Sequence, residues 1–275
     1  MLVIKIGGGA AIDAAAYANF AADLAAHAEP AVVVHGGNAE FSRLSRDLGR
    51  PPRMITAAGG RVTRYTDAAT MDAMLMAYAG KVNKRLVATL QAAGVNAVGL
   101  SAIDGRIATG RRKPVLRGTE EGKTKVLRDD HAGTIEALDT RLVRLLLDAG
   151  YLPVLTPPAL GEDGVPINVD GDKLALDLAI ALGAGGLLFF SDTPGLLADK
   201  EDETSLIHEI DAADPAAALA AAAGRMTVKV EAALGAIAHG VGRVIFADGR
   251  ADQPIRRALA GQGTVIRPSP ITAAS

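Results

Sequence analysis

Leu2-Val3-Ile4-Lys5-Ile6-Gly7-Gly8-Gly9 opens the chain, and its reading decides the fold. Apolar residues around a single lysine, closed by three glycines, predict a buried strand that ends in a tight turn. A second unit has the same form: Ala31-Val32-Val33-Val34 runs into His35-Gly36-Gly37-Asn38. Between them, residues 12–28 carry an Ala-rich helical pattern with Asp13 as its cap. Strand, helix and strand joined by short connections predict a mostly parallel sheet with helices on both faces.

The alternation continues along the chain. Helices are expected up to about Leu48 and over 67–93, 139–149, 172–182, 228–239 and 253–260. Strands are expected over 96–100, 152–155, 186–190, 243–247 and 264–267. A β-hairpin is expected over 107–127, turning near Glu120-Glu121-Gly122. The fold class is therefore α/β, a three-layer αβα sandwich in one domain over 1–267. A weak boundary near Asn168–Asp172 divides it into two lobes, about 1–170 and 171–267, with a loose tail over 268–275.

Composition narrows the function classes. A hydrophobic content of 49% over 275 residues excludes a disordered chain. There is no cysteine, so no disulfide and no thiolate-bound metal. No apolar run reaches the ~20 residues of a membrane-spanning helix. The opening strand lacks the pattern of a signal peptide, so a cytoplasmic protein is expected. A net charge of -2 argues against general nucleic-acid binding. That charge is uneven. Arg106, Arg111, Arg112, Lys113, Arg117, Lys123, Lys125 and Arg128 are opposed in their own stretch only by Glu120 and Glu121.

Ligands of open parallel sheets bind at the carboxyl ends of the strands. Lys5 stands just before such an end. Glycines there let backbone N–H groups approach an anion, and a following helix adds its positive end. The pattern is neither a P-loop nor the spaced-glycine dinucleotide turn. His35 reads as a hydrogen-bonded scaffold residue. On the residues alone, Asp172 is a helix cap or a charge for a ligand. Asn168 is a turn residue or a ligand contact, and Lys229 is a solvated helical lysine or a ligand contact.

Taken together, Lys5-x-Gly-Gly, His35-Gly-Gly, Asn168-x-x-x-Asp172 and Met226-x-x-Lys229 resemble, in order and spacing, the amino acid kinase family. The resemblance runs to about Arg267 and is closest to the N-acetylglutamate kinase type. Within that group the chain looks most like kinases of 2-aminoadipate, or glutamate, held on an amino-group carrier protein (the LysW type). Thr63-Arg64-Tyr65-Thr66-Asp67, Gly80-Lys81-Val82-Asn83-Lys84 and Gly110-Arg111-Arg112-Lys113 carry that closer match. So do the stretch Gly150 to Pro158, Phe246-Ala247-Asp248-Gly249-Arg250, and Pro254-Ile255-Arg256-Arg257.

The resemblance implies ATP-dependent phosphorylation of the side-chain carboxylate of carrier-linked 2-aminoadipate, giving an acyl phosphate in lysine biosynthesis. Carrier-linked glutamate is a further acceptor, and N-acetylglutamate kinase of arginine biosynthesis is the alternative. A carboxylate is ionised at neutral pH, so no general base is needed. The work is to hold anions together. Lys5 and Lys229 would flank the phosphoryl group, Gly8 and Gly37 would offer N–H groups, and Asp172 would orient the lysines. Mg²⁺ would travel with the nucleotide phosphates, without a protein metal site.

Gly36, Gly37 and Asn168 would hold the acceptor. Arg64 would clamp its α-carboxylate, with Arg61 of Gly59-Gly60-Arg61-Val62-Thr63 as the competing arginine. Ser191, Asp192, Gly195, Leu196 and Met226 would line the nucleotide base. Arg111, Arg112 and Lys113 would dock an acidic carrier, and the helix over 67–93 would form a homodimer interface. A silent regulator on this fold would be expected to lose a lysine or the aspartate. An NAD oxidoreductase lacks its glycine turn here.

Overall fold

Val3, Ile4, Val32, Val33 and Val34 have no exposed surface, because their strands lie at the centre of a sheet covered on both faces. The computed structural model describes residues 1–57, 60, 62–120, 122–199, 201–220 and 225–268. The strands are β1 (Leu2–Ile6), β2 (Ala31–His35), β3 (Arg53–Ala57), β4 (Val62–Tyr65), β5 (Ala97–Ser101), β6 (Ala108–Arg112), β7 (Val115–Glu120) and β8 (Lys123–Arg128). They continue with β9 (Gly133–Leu138), β10 (Leu152–Thr156), β11 (Ala159–Gly161), β12 (Pro166–Ile167), β13 (Gly186–Ser191), β14 (Glu209–Asp211), β15 (Val244–Asp248) and β16 (Thr264–Arg267). The helices are α1 (Ala14–Ala25), α2 (Asn38–Asp47), α3 (Ala68–Leu75), α4 (Asn83–Ala92), α5 (Arg141–Asp148), α6 (Gly171–Leu182), α7 (Pro215–Ala220), α8 (Arg225–Ala238) and α9 (Pro254–Leu259).

The main sheet has the order β14-β16-β15-β13-β1-β2-β10-β5. All its pairs are parallel except β15 with β16. Strand side chains alternate between the faces. Val3, Val32, Val34 and Leu155 join residues of α6 and α8 in one core. Leu2, Ile4, Ile6 and Val33 join residues of α1, α4 and α9 in the other. This is the expected three-layer arrangement, and the sheet runs continuously from the amino-terminal half into the carboxyl-terminal half through β1 and β13.

The hairpin expected over 107–127 forms only over 115–128. β6 pairs with β9 and β11 in one four-stranded sheet, while β7 and β8 form a hairpin in another, ordered β4-β3-β7-β8. Pro114 stands between β6 and β7 and has no N–H for a ladder, which separates the two strands. Gly122 makes the expected turn with φ +74. Glu121 lies outside the described residues.

The helix expected over 67–93 is α3, a π-helical segment Met76–Val82, and α4 in unbroken succession. Asp67 starts it by accepting the N–H of Thr70 at 2.9 Å. The π segment carries Tyr78, whose ring packs with Phe41, Met71 and Met74 in a third apolar cluster.

Candidate active site

The two glycine turns meet at the carboxyl ends of β1 and β2. A Cβ added to Gly8 would stand 2.3 Å from Gly37 N and 2.5 Å from the Gly36 carbonyl carbon, so only glycine fits. Backbone bonds fix the contact: Gly36 N–H donates to Ile6 O at 3.1 Å and Ala39 N–H to Gly8 O at 2.9 Å. His35 supports the second turn from below. Asn83 Nδ2 donates to His35 Nε2 at 3.0 Å, which leaves Nδ1–H to donate to Gly36 O at 2.8 Å. Burial lowers the His35 pKa to about 4, with Lys84 and Lys5 acting in the same sense and the Gly36 bond opposing. The scaffold role expected for His35 is what the structure shows.

Lys5 Nζ lies 2.6 Å from Asp172 Oδ1. The pair exists because Asp170 takes the capping position on α6, accepting the N–H groups of Asp172 at 2.8 Å and Lys173 at 3.1 Å. Both residues face a cleft of about 640 Å³ whose walls include Gly8, Gly36, Arg64, Asn168 and Lys113. Five of the expected site residues thus share one cavity with the Lys5–Asp172 pair or form part of it. Asn168 Nδ2 donates to Thr66 Oγ1 at 3.3 Å.

Arg64 enters the cleft from β4. Its guanidinium lies over the Phe41 ring, 4.4 Å from the centroid, and Nη2 donates to Asn38 Oδ1 at 2.9 Å. Its Nε is buried without a hydrogen-bond partner. Arg61 and Gly59 lie outside the described residues.

The carboxyl-terminal residues are arranged differently. Lys229 is exposed on α8, with Nζ 5.6 Å from the centre of the Phe246 ring. Lys5, Phe189 and Phe246 are in register across β1, β13 and β15, and the two phenylalanine rings stack at 5.0 Å. Two strand spacings, about 10 Å, therefore separate Lys5 from the strand position beneath Lys229.

In the loop after β13, Ser191 Oγ and Thr193 Oγ1 are 3.0 Å apart, and Leu196 N–H donates to Thr264 Oγ1 at 2.8 Å. Asp192 and Gly195 belong to the same loop, where a Cβ on Gly195 would strike Thr264 at 2.7 Å. Leu196 and Met226 are buried in the core rather than displayed at a surface. Ala221 to Gly224 lie outside the described residues.

The basic stretch is dispersed by the fold. Arg111 meets Glu136 at 3.4 Å and Glu162 at 3.8 Å, and Arg112 meets Asp129 at 2.8 Å and Asp163 at 3.5 Å. Glu120 accepts from Arg53 at 2.9 Å and also pairs with Lys125, which holds its carboxyl near pKa 2. Two residues of the positive run, Arg111 and Arg112, are thus answered by acids outside it, and Lys125 by Glu120 within it. Lys113 belongs to the acceptor-side cleft instead.

A second cleft, of about 760 Å³, shares Gly8 with the first and is walled by α1, α2, the π-helical segment and α4, including Glu40, Arg43, Lys81 and Arg85. It had no signal in the sequence pattern. Among the described residues, no group of three or more His, Asp or Glu is placed to hold a metal ion, and no helix is long and apolar enough to cross a membrane.

Comparison with known proteins agrees with this geometry. The model of the amino acid kinase family matches residues 1–248. The chain is 52% identical to the LysW-aminoadipate kinase of Deinococcus radiodurans over 269 residues, 97% of this chain and 91% of that protein. It is 49% identical to the LysW-aminoadipate kinase of Thermus thermophilus, over 97% of this chain and all (100%) of that protein. The acetylglutamate kinase of Methanopyrus kandleri is more distant, at 34% identity over 97% of this chain and 100% of its own length. Among solved structures, N-acetylglutamate synthase from Neisseria gonorrhoeae superposes with a TM-score of 0.76 at 25% identity, covering 98% of this chain, which spans 60% of that one. With Lys5, Asp172 and both glycine turns in one cleft, and the family match running over most of its length, the chain belongs to the amino acid kinase family.

Proposed function

We propose that the chain transfers the terminal phosphoryl group of ATP to the side-chain carboxylate of 2-aminoadipate attached to an amino-group carrier protein. The observation that carries this reading is that Arg64 lines the same cleft as the Lys5–Asp172 pair. Its guanidinium, held over Phe41 and by Asn38, is the fork that an acceptor carboxylate would meet. The names of the two relatives near 50% identity support the carrier-linked acceptor.

The chemistry follows from charge. Lys5 stands at the meeting point of donor and acceptor anions, and Asp172 holds its ammonium in place. The backbone N–H of Gly8 would face the transferring oxygens, while Gly37, whose N–H is turned to the Tyr78 hydroxyl, would support that turn. Lys229, across the Phe189–Phe246 pair, would meet the nucleotide phosphates from the other half of the sheet. Ser191, Asp192 and Gly195 would border the base, with Leu196 and Met226 shaping that wall from the core. Mg²⁺ would neutralise phosphate charge, carried by the nucleotide phosphates. Gly36 and Asn168 would receive the amino acid.

The carrier would dock on the rim of the cleft rather than on Arg111 and Arg112. Met54, Val62 and Val115 are exposed by 51%, 56% and 42% at that rim, with Lys113 beside them. Apolar contacts edged by a cation suit a protein partner that delivers an anionic side chain. A cytoplasmic homodimer built on the α3–α4 helix, with acceptor and nucleotide lobes meeting near residue 170, completes the proposal.

The test is ATP turnover with the acyl phosphate trapped as hydroxamate. Carrier protein loaded with 2-aminoadipate, carrier loaded with glutamate, and free N-acetylglutamate are compared. Turnover on the aminoadipate-loaded carrier is expected. Turnover on free N-acetylglutamate alone would overturn the reading.

A further inference from the structure

Tyr78 lies on the π-helical segment Met76–Val82, buried at 5% exposure, and reaches toward the second glycine turn. A π turn inserts one extra residue and re-aims the side chains around it. Here it presses the Tyr78 ring flat against Gly37: a Cβ on that glycine would stand 2.8 Å from Tyr78 Cδ2. The hydroxyl then donates to Asn38 Oδ1 at 2.7 Å. The same oxygen receives Arg64 Nη2 at 2.9 Å.

Two donors on one amide oxygen fix the Asn38 side chain. The amide cannot be flipped, because its NH₂ would then face a guanidinium that has no acceptor. Asn38 is therefore held from behind by Tyr78 and holds Arg64 in front, while Phe41 supports the guanidinium from below. Burial raises the pKa of the Tyr78 phenol against the pull of Arg64 and the Gly37 N–H, so the hydroxyl remains a proton donor at neutral pH. Asn38, Arg64, Tyr78 and Gly36 all border the cleft that contains Lys5.

We propose that Tyr78 is a positioning residue for the acceptor: through Asn38 it sets the direction from which Arg64 grips the acceptor carboxylate. This rests on the reading of Arg64 as the acceptor clamp. It adds that the clamp is aimed by a relay, Tyr78 to Asn38 to Arg64, built on the one π turn of the helix.

The experiment is steady-state kinetics on Tyr78→Phe, Asn38→Ala, the double variant and Arg64→Lys, with carrier loaded with 2-aminoadipate as acceptor. Tyr78→Phe keeps the ring against Gly37 and removes only the hydroxyl. We expect the acceptor KM to rise about five- to tenfold with kcat within about twofold, the ATP KM unchanged and the melting temperature unmoved. In the Asn38→Ala background the Tyr78→Phe change should cost nothing further, because the relay is already cut. An unchanged acceptor KM in Tyr78→Phe, or effects that add in the double variant, would overturn the relay. Arg64→Lys separates the two levels. If it raises the acceptor KM while Tyr78→Phe is silent, only the relay fails. If it leaves the acceptor KM unchanged, the clamp reading fails with it.

Discussion

Asp170 caps the helix that carries Asp172, and by doing so it frees Asp172 for Lys5. The Asp170 carboxylate receives two backbone N–H groups at the start of α6, and Asp172, two residues on, reaches Lys5 Nζ at 2.6 Å. One acid satisfies the helix end and the other balances the cation at the centre of the cleft. The first prediction follows. Asp172→Asn keeps the shape and removes the charge that orients Lys5, so kcat should fall by about 10²–10³. Because Asp172 is half exposed, the fold should be little affected. Hydroxamate turnover beside a thermal melt checks both parts. A loss of activity matched by a collapse of the melt would mean that the pair is structural.

Gly8→Ala tests the contact between the turns. The added methyl would meet the backbone of Gly36 and Gly37 at 2.3–2.5 Å, where no side chain can yield. Backbone displacement of this kind costs about 1–3 kcal/mol. Activity should be lost at temperatures where the fold survives, since the displaced atoms are those proposed to face the phosphoryl group. Gly9→Ala is the control, because nothing lies within 4 Å of a Cβ there. It should leave both the melt and the turnover near those of the parent.

Much of this was legible in the sequence because it depends on local rules. The apolar runs, the glycine turns and the Asp13 cap each act over a few residues, and each was found where it was expected. What the sequence pattern missed depends on contacts between distant segments. Pro114 divides a run that reads as one hairpin, and the partners of β6 lie in β9 and β11. The basic stretch looked unopposed because Glu136, Asp129, Asp163 and Glu162 lie outside it, yet the fold brings them to Arg111 and Arg112. The role of Asp172 was ambiguous for a related reason: two acids flank Gly171, and only the geometry of the helix start assigns the cap to the first. The π turn at Tyr78 left no mark on the apolar stripe of its helix.

His35 gives a pH dependence with a definite sign. Its folded pKa is about 4, below the ordinary value of 6.5, so the unfolded chain binds the proton more readily. This contribution to stability is fully present above about pH 6.5. It is lost progressively as the pH falls from there toward 4. Between pH 7 and pH 5 the loss amounts to about 2 kcal/mol. Urea unfolding at the two pH values should show it, and His35→Asn should lower stability at pH 7 while reducing the difference between the two. A variant that keeps the full pH dependence would assign it to other groups.

The docking face yields the last prediction, and it separates the sequence pattern from the fold. Read as a run of charge, Arg111 and Arg112 should steer an acidic carrier. In the structure both are already ion-paired, so reversing them mainly frees four carboxylates that were partly neutralised. Exposed pairs of this kind are worth little on their own, about 0–1 kcal/mol. Lys113, by contrast, borders the cleft with Val62 and Met54. Lys113→Glu and Val62→Asp should each raise the KM for loaded carrier by about tenfold or more, while Arg111→Glu raises it only a few fold and mostly at low salt. Measuring KM at low and high ionic strength distinguishes the two surfaces. A strong effect of Arg111→Glu that vanishes with salt, alongside silent Lys113→Glu and Val62→Asp, would return the carrier to the basic run. The opposite pattern would place it at the mouth of the cleft, where a tethered side chain has the shortest path to Arg64 and Lys5.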